Sequence, residues 1–355
     1  MSLLGIAFHL LSWLASHFQY LLILIGFLNI SDFILCGVDK QRAEKGLWRV
    51  SEFRLLLIGF LGGCFGLLAG MFVFRHKTRQ TKFLICALLF CLVWGIVLVH
   101  IVSALTWDKS NEYRRITYTS EKIPPSLDGY TIGFVTDTHA LPTEELQAVA
   151  NKLNTYQLDL LFLGGDFPSQ NGEPDKSMEI LSSVQTADGI FGVEGNHDNY
   201  RRLFTAMEKY GITPLSNSGV SVCDGLFVCG VEDLWNRDPN VKKAAAGAKP
   251  GDFVLLLAHG ADIAMRQETK SVDLILSGHT HGGQFNFFGI WSLALSKAFG
   301  ITEYGTRFKA GWAKSLDGVD VYVSRGVGTF NNIPRVFARP EVTLLTLRPL
   351  GTVTG

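Results

Sequence analysis

Basic side chains are missing from the start of this sequence: between Met1 and Val38 there is no Lys or Arg. A secretory leader needs a positive start ahead of its apolar run, so a cleaved leader is excluded as the reading of this segment. Net charge is missing as well. Thirty-two Lys and Arg balance 32 Asp and Glu, which leaves no overall field to attract a nucleic acid. Charged residues make up only 18% of the chain and hydrophobic ones 47%, so disorder is excluded. Six cysteines in 355 residues are too few for a disulfide scaffold. The length suits about two domains.

What is present is unevenly spread. Residues 1–106 hold nine Lys and Arg and four Asp and Glu, together with four of the six cysteines. The remainder, 107–355, is acidic by five charges. The first part carries three nearly uncharged runs, Phe18 to Val38, Leu55 to Phe74 and Phe83 to Trp107. Each is long enough to cross a hydrocarbon layer of about 30 Å. Residues 2–17 fit a helix lying at the interface or part of a further span. The reading is an all-α transmembrane domain over 1–106 in a multi-pass cell-membrane protein.

Its orientation has two solutions. The loop after the first run carries Lys40, Arg42, Lys45, Arg49 and Arg54, and the loop after the second carries Arg75, Lys77, Arg79 and Lys82. Basic loops favour the cytoplasm, yet these two flank one twenty-residue segment. Either that segment is a re-entrant hairpin turning at Gly62-Gly63, which sends the rest of the chain outside, or it crosses fully, with Gly62, Gly66 and Gly70 as a close packing face. The first is preferred. Cys223 and Cys229, read as free thiols, pull toward a reducing compartment. The stretch also resembles a small, functionally obscure family of bacterial membrane domains through Asp39-Lys40, Ala43, Arg49, Glu52, Gly62-Gly63, Gly66 and His76-Lys77-Thr78, across roughly residues 20–105. That resemblance implies membrane residence and no chemistry; Asp39, Arg49 and Glu52 are read as interfacial anchors and ion-pair partners.

After a linker over 107–127, residues 128–355 alternate short apolar runs with helical patterns, the mark of an α/β sheet. Strands are expected at Tyr130–Thr136, Leu158–Leu163, Ile190–Val193, Phe253–Ala258, Val272–Leu276, Val319–Ser324 and Val342–Leu347. Helices are expected at Thr143–Asn154, capped by Thr143, and Tyr200–Lys209. Asp224-Gly225 between Val220–Cys223 and Leu226–Val231 signals a hairpin.

Polar residues gather where these strands end: Asp137 and His139, Asp166, Asn196 and His197, His259, then His279 and His281. All five histidines of this part stand there, at the strand termini where open sheets collect ligands. Histidines serving only as core or surface groups would scatter onto helices and linkers. Mixed imidazole, carboxylate and amide donors suit Mn²⁺, Fe²⁺ or Zn²⁺, with Mn²⁺ preferred. Seven donors are too many for one ion and suit two that share a carboxylate. Paired cations are the common device for in-line displacement at phosphorus.

In order, Asp137/His139, Gly165-Asp166, Gly195-Asn196-His197-Asp198, His259 and Gly278-His279-Thr280-His281 resemble the motifs of the calcineurin-like metallophosphoesterase superfamily. The resemblance implies a four-layer sandwich, two mixed sheets flanked by helices. It implies one metal on Asp137, His139, Asp166 and His281 and a second on Asp166, Asn196, His259 and His279. It also implies His197 as proton donor to the leaving oxygen, with Asp198 orienting it. Gly282-Gly283-Gln284, Tyr322 to Thr329 and Arg339-Pro340-Glu341 look like the membrane-associated bacterial phosphodiesterase branch, with relatives acting on nucleotide-linked glycolipids. Ala140-Leu141 and Gly260-Ala261 depart from the usual pattern, which bears on loop shape and substrate.

The expected function is therefore metal-dependent hydrolysis of a phosphodiester or pyrophosphate in a lipid-linked or cell-envelope substrate. Arg325 is a candidate for binding substrate phosphate or, equally, an ion-pair partner. Phe285 to Phe299, with Phe287, Phe288 and Trp291, is either a greasy wall for acyl chains or an ordinary buried strand and helix. The rival reading is a catalytically silent membrane sensor or binding protein on the same fold. A third assigns transport or assembly to residues 1–106.

Overall fold

The structure is a computed structural model describing residues 18–106, 110–139, 141–168, 172–287, 291–292, 301–330 and 335–351. The chain divides into two compact units, Met1–Trp107 and Asp108–Gly355. The expectation for residues 2–17 lies outside the described residues, as does most of Phe285 to Phe299, including Phe288. Of that segment, β10 (Asn286–Phe287) and β11 (Trp291–Ser292) pair as a two-stranded antiparallel ribbon.

The first unit is helical: α1 (Phe18–Glu44), α2 (Glu52–Ile58), a π-helical turn (Gly59–Gly63), α3 (Cys64–Val73) and α4 (Thr81–Thr106). By length and composition alone, three segments are apolar enough to cross a membrane: Gln19–Glu44, Glu52–Val73 and Thr81–Ser103. The middle one is doubled back. At one end, buried Asp39 of α1 accepts from the amide of Val50 ahead of α2 and meets Nε2 of His76 beyond α3, at 2.9 and 2.7 Å. At the other, Asn29 donates to the carbonyl of Gly62 and accepts from the amide of Gly66. The chain thus descends α1 from Asp39 toward Asn29 and returns. Gly62 turns it with φ +124°, a region closed to residues with a Cβ. Gly66 lies so close to the Asn29 backbone that a side chain would collide with it. The limbs α2 and α3, of 7 and 10 residues, reach about a third and about half of a bilayer core at 1.5 Å per residue.

The second unit is a four-layer sandwich. Strands β1 (Glu112–Ser120), β2 (Thr131–Val135), β3 (Leu160–Leu163), β4 (Ile190–Gly192), β5 (Thr213–Pro214) and β14 (Glu341–Pro349) form one sheet in the order β1-β14-β2-β3-β4-β5. The other sheet runs β12-β13-β9-β8-β7-β6, from β6 (Ser218–Cys223), β7 (Leu226–Gly230), β8 (Phe253–Leu257), β9 (Leu274–Ser277), β12 (Gly311–Lys314) and β13 (Asp320–Val323). Both sheets mix parallel and antiparallel neighbours.

Alternation along each strand builds the layers. Phe134, Phe162, Leu255, Leu276 and Tyr322 point into the core between the sheets. Val135, Leu161 and Leu163 point outward beneath Leu146, Val149, Leu203 and Met207 of α5 (Thr143–Leu153) and α7 (Tyr200–Lys209). Leu256, Ile275 and Val321 face Val241, Ala244 and Ile263 on the far side. Strands buried on both faces explain the unbroken apolar runs.

Three expectations need correction. The linker over 107–127 contains β1, which pairs parallel with β14 along nine residues. Its alternating half-buried pattern belongs to an edge strand whose partner lies at the far end of the chain. Pro142, not Thr143, stands at the N-cap of α5, and no side chain caps it. The helix α6 (Asp175–Leu181) occupies a stretch for which no element is expected.

Candidate metal centre

Strands β2 and β3 are parallel neighbours in one sheet, β8 and β9 are parallel neighbours in the other, and their ends carry Asp137 and His139, Asp166, His259, and His279 with His281. The turns after them bring donor atoms together from positions more than 140 residues apart. Asp137, His139 and His281 form one group and Asp166, His259 and His279 another, with donor atoms within 4.8 Å of one another in each. Asn196 joins the second through Oδ1, 3.1 Å from His259 Nε2. Asp166 Oδ2 stands between the groups, 3.6 Å from His139 Nε2 and 3.3 Å from His259 Nε2. Its other oxygen accepts from the His197 amide at 2.8 Å.

Holding these groups requires unusual backbone. Asp137, His139, Asp166, His279 and His281 all have φ between +44° and +71°, a left-handed region rare for residues with a Cβ. Such conformations persist where surroundings over-determine them, and they cluster at functional sites. Gly195 and Gly278 press directly on the Asp166 and Asp137 carboxylates, where any side chain would collide.

Hydrogen bonding tests whether cations fit. His259 Nδ1 lies 2.8 Å from the carbonyl of Gly164, and His279 Nε2 lies 2.8 Å from that of Ile301. A carbonyl only accepts, so both rings direct their N–H outward. With both rings neutral, the inward nitrogens, His259 Nε2 and His279 Nδ1, would face each other at 3.1 Å as two lone pairs, an arrangement that calls for positive charge between them, a proton on His259 or a cation that displaces it. The electrostatics agree. Burial alone would push His259 down, but Asp166 and Asp137 overcome it and raise it to about 10. Burial opposes ionisation of Asp166, yet His259, His139 and His197 hold it well below the usual carboxylate range. Burial keeps His139 and His279 neutral, lowered to about 4 and about 3. Neutral imidazoles and an ionised carboxylate are the forms that ligate metals.

Comparison with known proteins agrees with this geometry. Residues 130–283 match the family described as calcineurin-like phosphoesterase. The second unit carries a calcineurin-like phosphoesterase domain. Residues 29–83 match a family described only as a protein of unknown function (DUF1294). An uncharacterized metallophosphoesterase of Helicobacter pylori is 28% identical over 228 residues, covering 61% of this chain and 59% of that protein. The uncharacterized metallophosphoesterase YkuE of Bacillus subtilis is 28% identical over 251 residues, 65% and 84% of the two chains. A zebrafish transmembrane protein with metallophosphoesterase domain is 28% identical over 64% of this chain and 55% of its own length. This chain thus matches under two thirds of the H. pylori and zebrafish proteins. Among solved structures, phosphopantetheinyl hydrolase of Mycobacterium tuberculosis aligns with 60% of this chain and 96% of its own, at TM-score 0.34 and 12% identity.

Two roles expected within this phosphoesterase domain change. Asp198 does not orient His197. Its buried carboxylate accepts from the amides of Asp166, Phe167 and Gly195 at 2.7, 2.8 and 2.8 Å, which fixes the turns carrying Asp166 and Asn196. His197 itself is exposed at the mouth, its ring 5.6 Å from that of His139 and 5.0 Å from that of Phe330. Arg325 is engaged by Glu112 at 2.5 Å and Glu341 at 2.8 Å, so its guanidinium braces β1 and β14 rather than facing a substrate.

Other residues emerge only in three dimensions. Arg335, 4% exposed, donates to the carbonyls of Gly328, His281 and Arg325 and so ties the last two site loops together. Trp235 lies over His279 with ring centres 4.2 Å apart, and Asn236 donates to the carbonyl of Asn196 at 2.7 Å. No spacing in the sequence marks these three.

Proposed function

We propose that the chain is a membrane-anchored phosphoesterase with two divalent cations, Mn²⁺ before Fe²⁺ or Zn²⁺, that hydrolyses a phosphodiester or pyrophosphate of a lipid-linked or cell-envelope substrate. The observation that carries this reading is Asp166 Oδ2, within 3.6 Å of His139 and 3.3 Å of His259 and thus common to both donor groups. Asp137, His139, Asp166 and His281 would hold one ion, and Asp166, Asn196, His259 and His279 the other. When bound, such a pair lowers the pKa of water and neutralises phosphoryl oxygens.

The side chains supply the rest. Exposed His197, beside His139 and Phe330, is suited to protonating the leaving oxygen. Asp198, through its three amide bonds, keeps the Asp166 and Asn196 turns in register, and preorganisation of this kind is a large part of catalysis.

The doubled-back segment supports the arrangement in which α1 and α4 cross and both basic loops share the cytoplasmic face. The phosphoesterase unit is then extracytoplasmic, where envelope substrates lie. Cys223 and Cys229 do not oppose this, since they sit out of register on β6 and β7 and cannot pair with each other.

The test is turnover by purified full chain with Mn²⁺, on a soluble chromogenic diester and on a lipid-linked pyrophosphate. Hydrolysis of both, with the lipid substrate preferred, is expected. Two bound ions without turnover on any ester would favour the silent sensor instead.

A further inference from the structure

A second site stands in the first unit. Phe72, Arg75, Lys77, Thr78, Arg79 and Gln80 line a cavity of about 550 Å³ between the end of α3 and the start of α4. Both helices leave their apolar stretches here, so the cavity opens where a bilayer surface would lie. Three of its six lining residues are cations.

The loop is held in an unusual shape. Arg75 and Lys77 have φ of +49° and +55°, left-handed backbone that persists where the surroundings over-determine it. Asp39 anchors it from beneath. That carboxylate, wholly buried, accepts from Arg49 Nη2 at 2.9 Å and the Val50 amide at 2.9 Å and contacts His76 Nε2 at 2.7 Å. Lys77 is satisfied within the protein, by Glu52 at 2.9 Å and over the Phe83 ring at 5.0 Å. Arg75 and Arg79 are not: among the described residues neither has an ion-pair or hydrogen-bond partner for its guanidinium. Two unpaired guanidiniums on a braced loop match a phosphate, which they can grip bidentately. Phe72, 60% exposed, supplies an apolar wall on the membrane side.

We propose that this cavity binds the phosphate headgroup of a net-anionic phospholipid, with Arg75 and Arg79 on the phosphate and Phe72 beside the first carbons of the acyl chains. Thr78 offers a hydrogen bond to the headgroup. The site is separate from the phosphoesterase centre and does not depend on that centre's activity.

The experiment titrates detergent-purified full chain with dioctanoyl phosphatidylglycerol, dioctanoyl phosphatidylcholine and inorganic phosphate, reading dissociation constants by thermophoresis. Phosphatidylglycerol should bind about tenfold or more tighter than phosphatidylcholine, and R75Q/R79Q should weaken it about tenfold. R42Q/K45Q, which removes equal charge from the other basic loop, should leave it within about threefold. Thr78→Phe, which fills the cavity and keeps every charge, should also abolish the preference. Equal loss in R42Q/K45Q would reduce the effect to a diffuse basic belt and overturn the proposal. So would unchanged binding in either cavity variant at native helix content. Competition by inorganic phosphate at the lipid's own concentrations would assign the site to a soluble anion and overturn the lipid source.

Discussion

Lys77 and Glu52, twenty-five positions apart in the chain, meet at 2.9 Å. In a straight helix from 52 to 77 their backbones would lie about 37 Å apart, so this contact is a direct signature of the doubled-back segment. Cysteines at positions 52 and 77 in an otherwise cysteine-free chain should crosslink in native membranes with a reagent spanning about 8 Å. That estimate follows from side-chain reach once the backbones are adjacent. Absence of crosslinking, with both thiols accessible, would restore a straight span.

Cation uptake should release protons. His259, raised to about 10 by Asp166 and Asp137 against the cost of burial, carries a proton at neutral pH in the metal-free protein, and a cation must displace it. Apparent affinity should therefore rise with pH by up to about tenfold per unit from pH 6 to 9, as one competing proton dictates. Calorimetry in buffers of different ionisation enthalpy measures the number released. A value near zero contradicts the assignment of His259 as a ligand.

Asp198→Ala leaves three amides without their acceptor. It should lower unfolding free energy by about 2–4 kcal/mol and metal affinity by about 10–100-fold. Because Asp198 bonds Asp166, Phe167 and Gly195 rather than His197, the acidic and basic limbs of the pH–rate profile should not move at saturating metal. A shifted limb would return Asp198 to the role of orienting His197.

Arg325→Gln should act on stability and not on substrate. It strips Glu341, wholly buried, of its cationic partner at 2.8 Å, which costs about 3 kcal/mol in urea unfolding. KM should stay within about twofold, since the guanidinium is engaged away from the site. A tenfold rise in KM with stability unchanged would make Arg325 a substrate ligand after all.

Much of this was legible because both domains write their plan locally. Every donor follows an apolar run, and all but Asp137 and His139 sit beside a glycine, so strand ends could be located without knowing strand order. Gly62-Gly63 between two basic loops likewise announces a reversal. What was not legible depends on contacts distant in the chain. Strand β1 reads as a polar linker until β14 covers one side of it. Arg335 is an isolated cation until carbonyls from residues 281, 325 and 328 surround it. Asp198 misled by adjacency: it follows His197 directly, yet the turn sends its carboxylate back to the amide of Gly195 and across to those of Asp166 and Phe167.

The central claim is that one carboxylate, Asp166, joins two sets of donors around a pair of cations. Metal content of the full chain, loaded with Mn²⁺ and dialysed, tests it most directly when wild type and Asp166→Ala are measured side by side by elemental analysis. The account predicts two ions per wild-type chain and at most one, weakly held, in the variant. One ion or none in the wild type, or two in the variant, would contradict it.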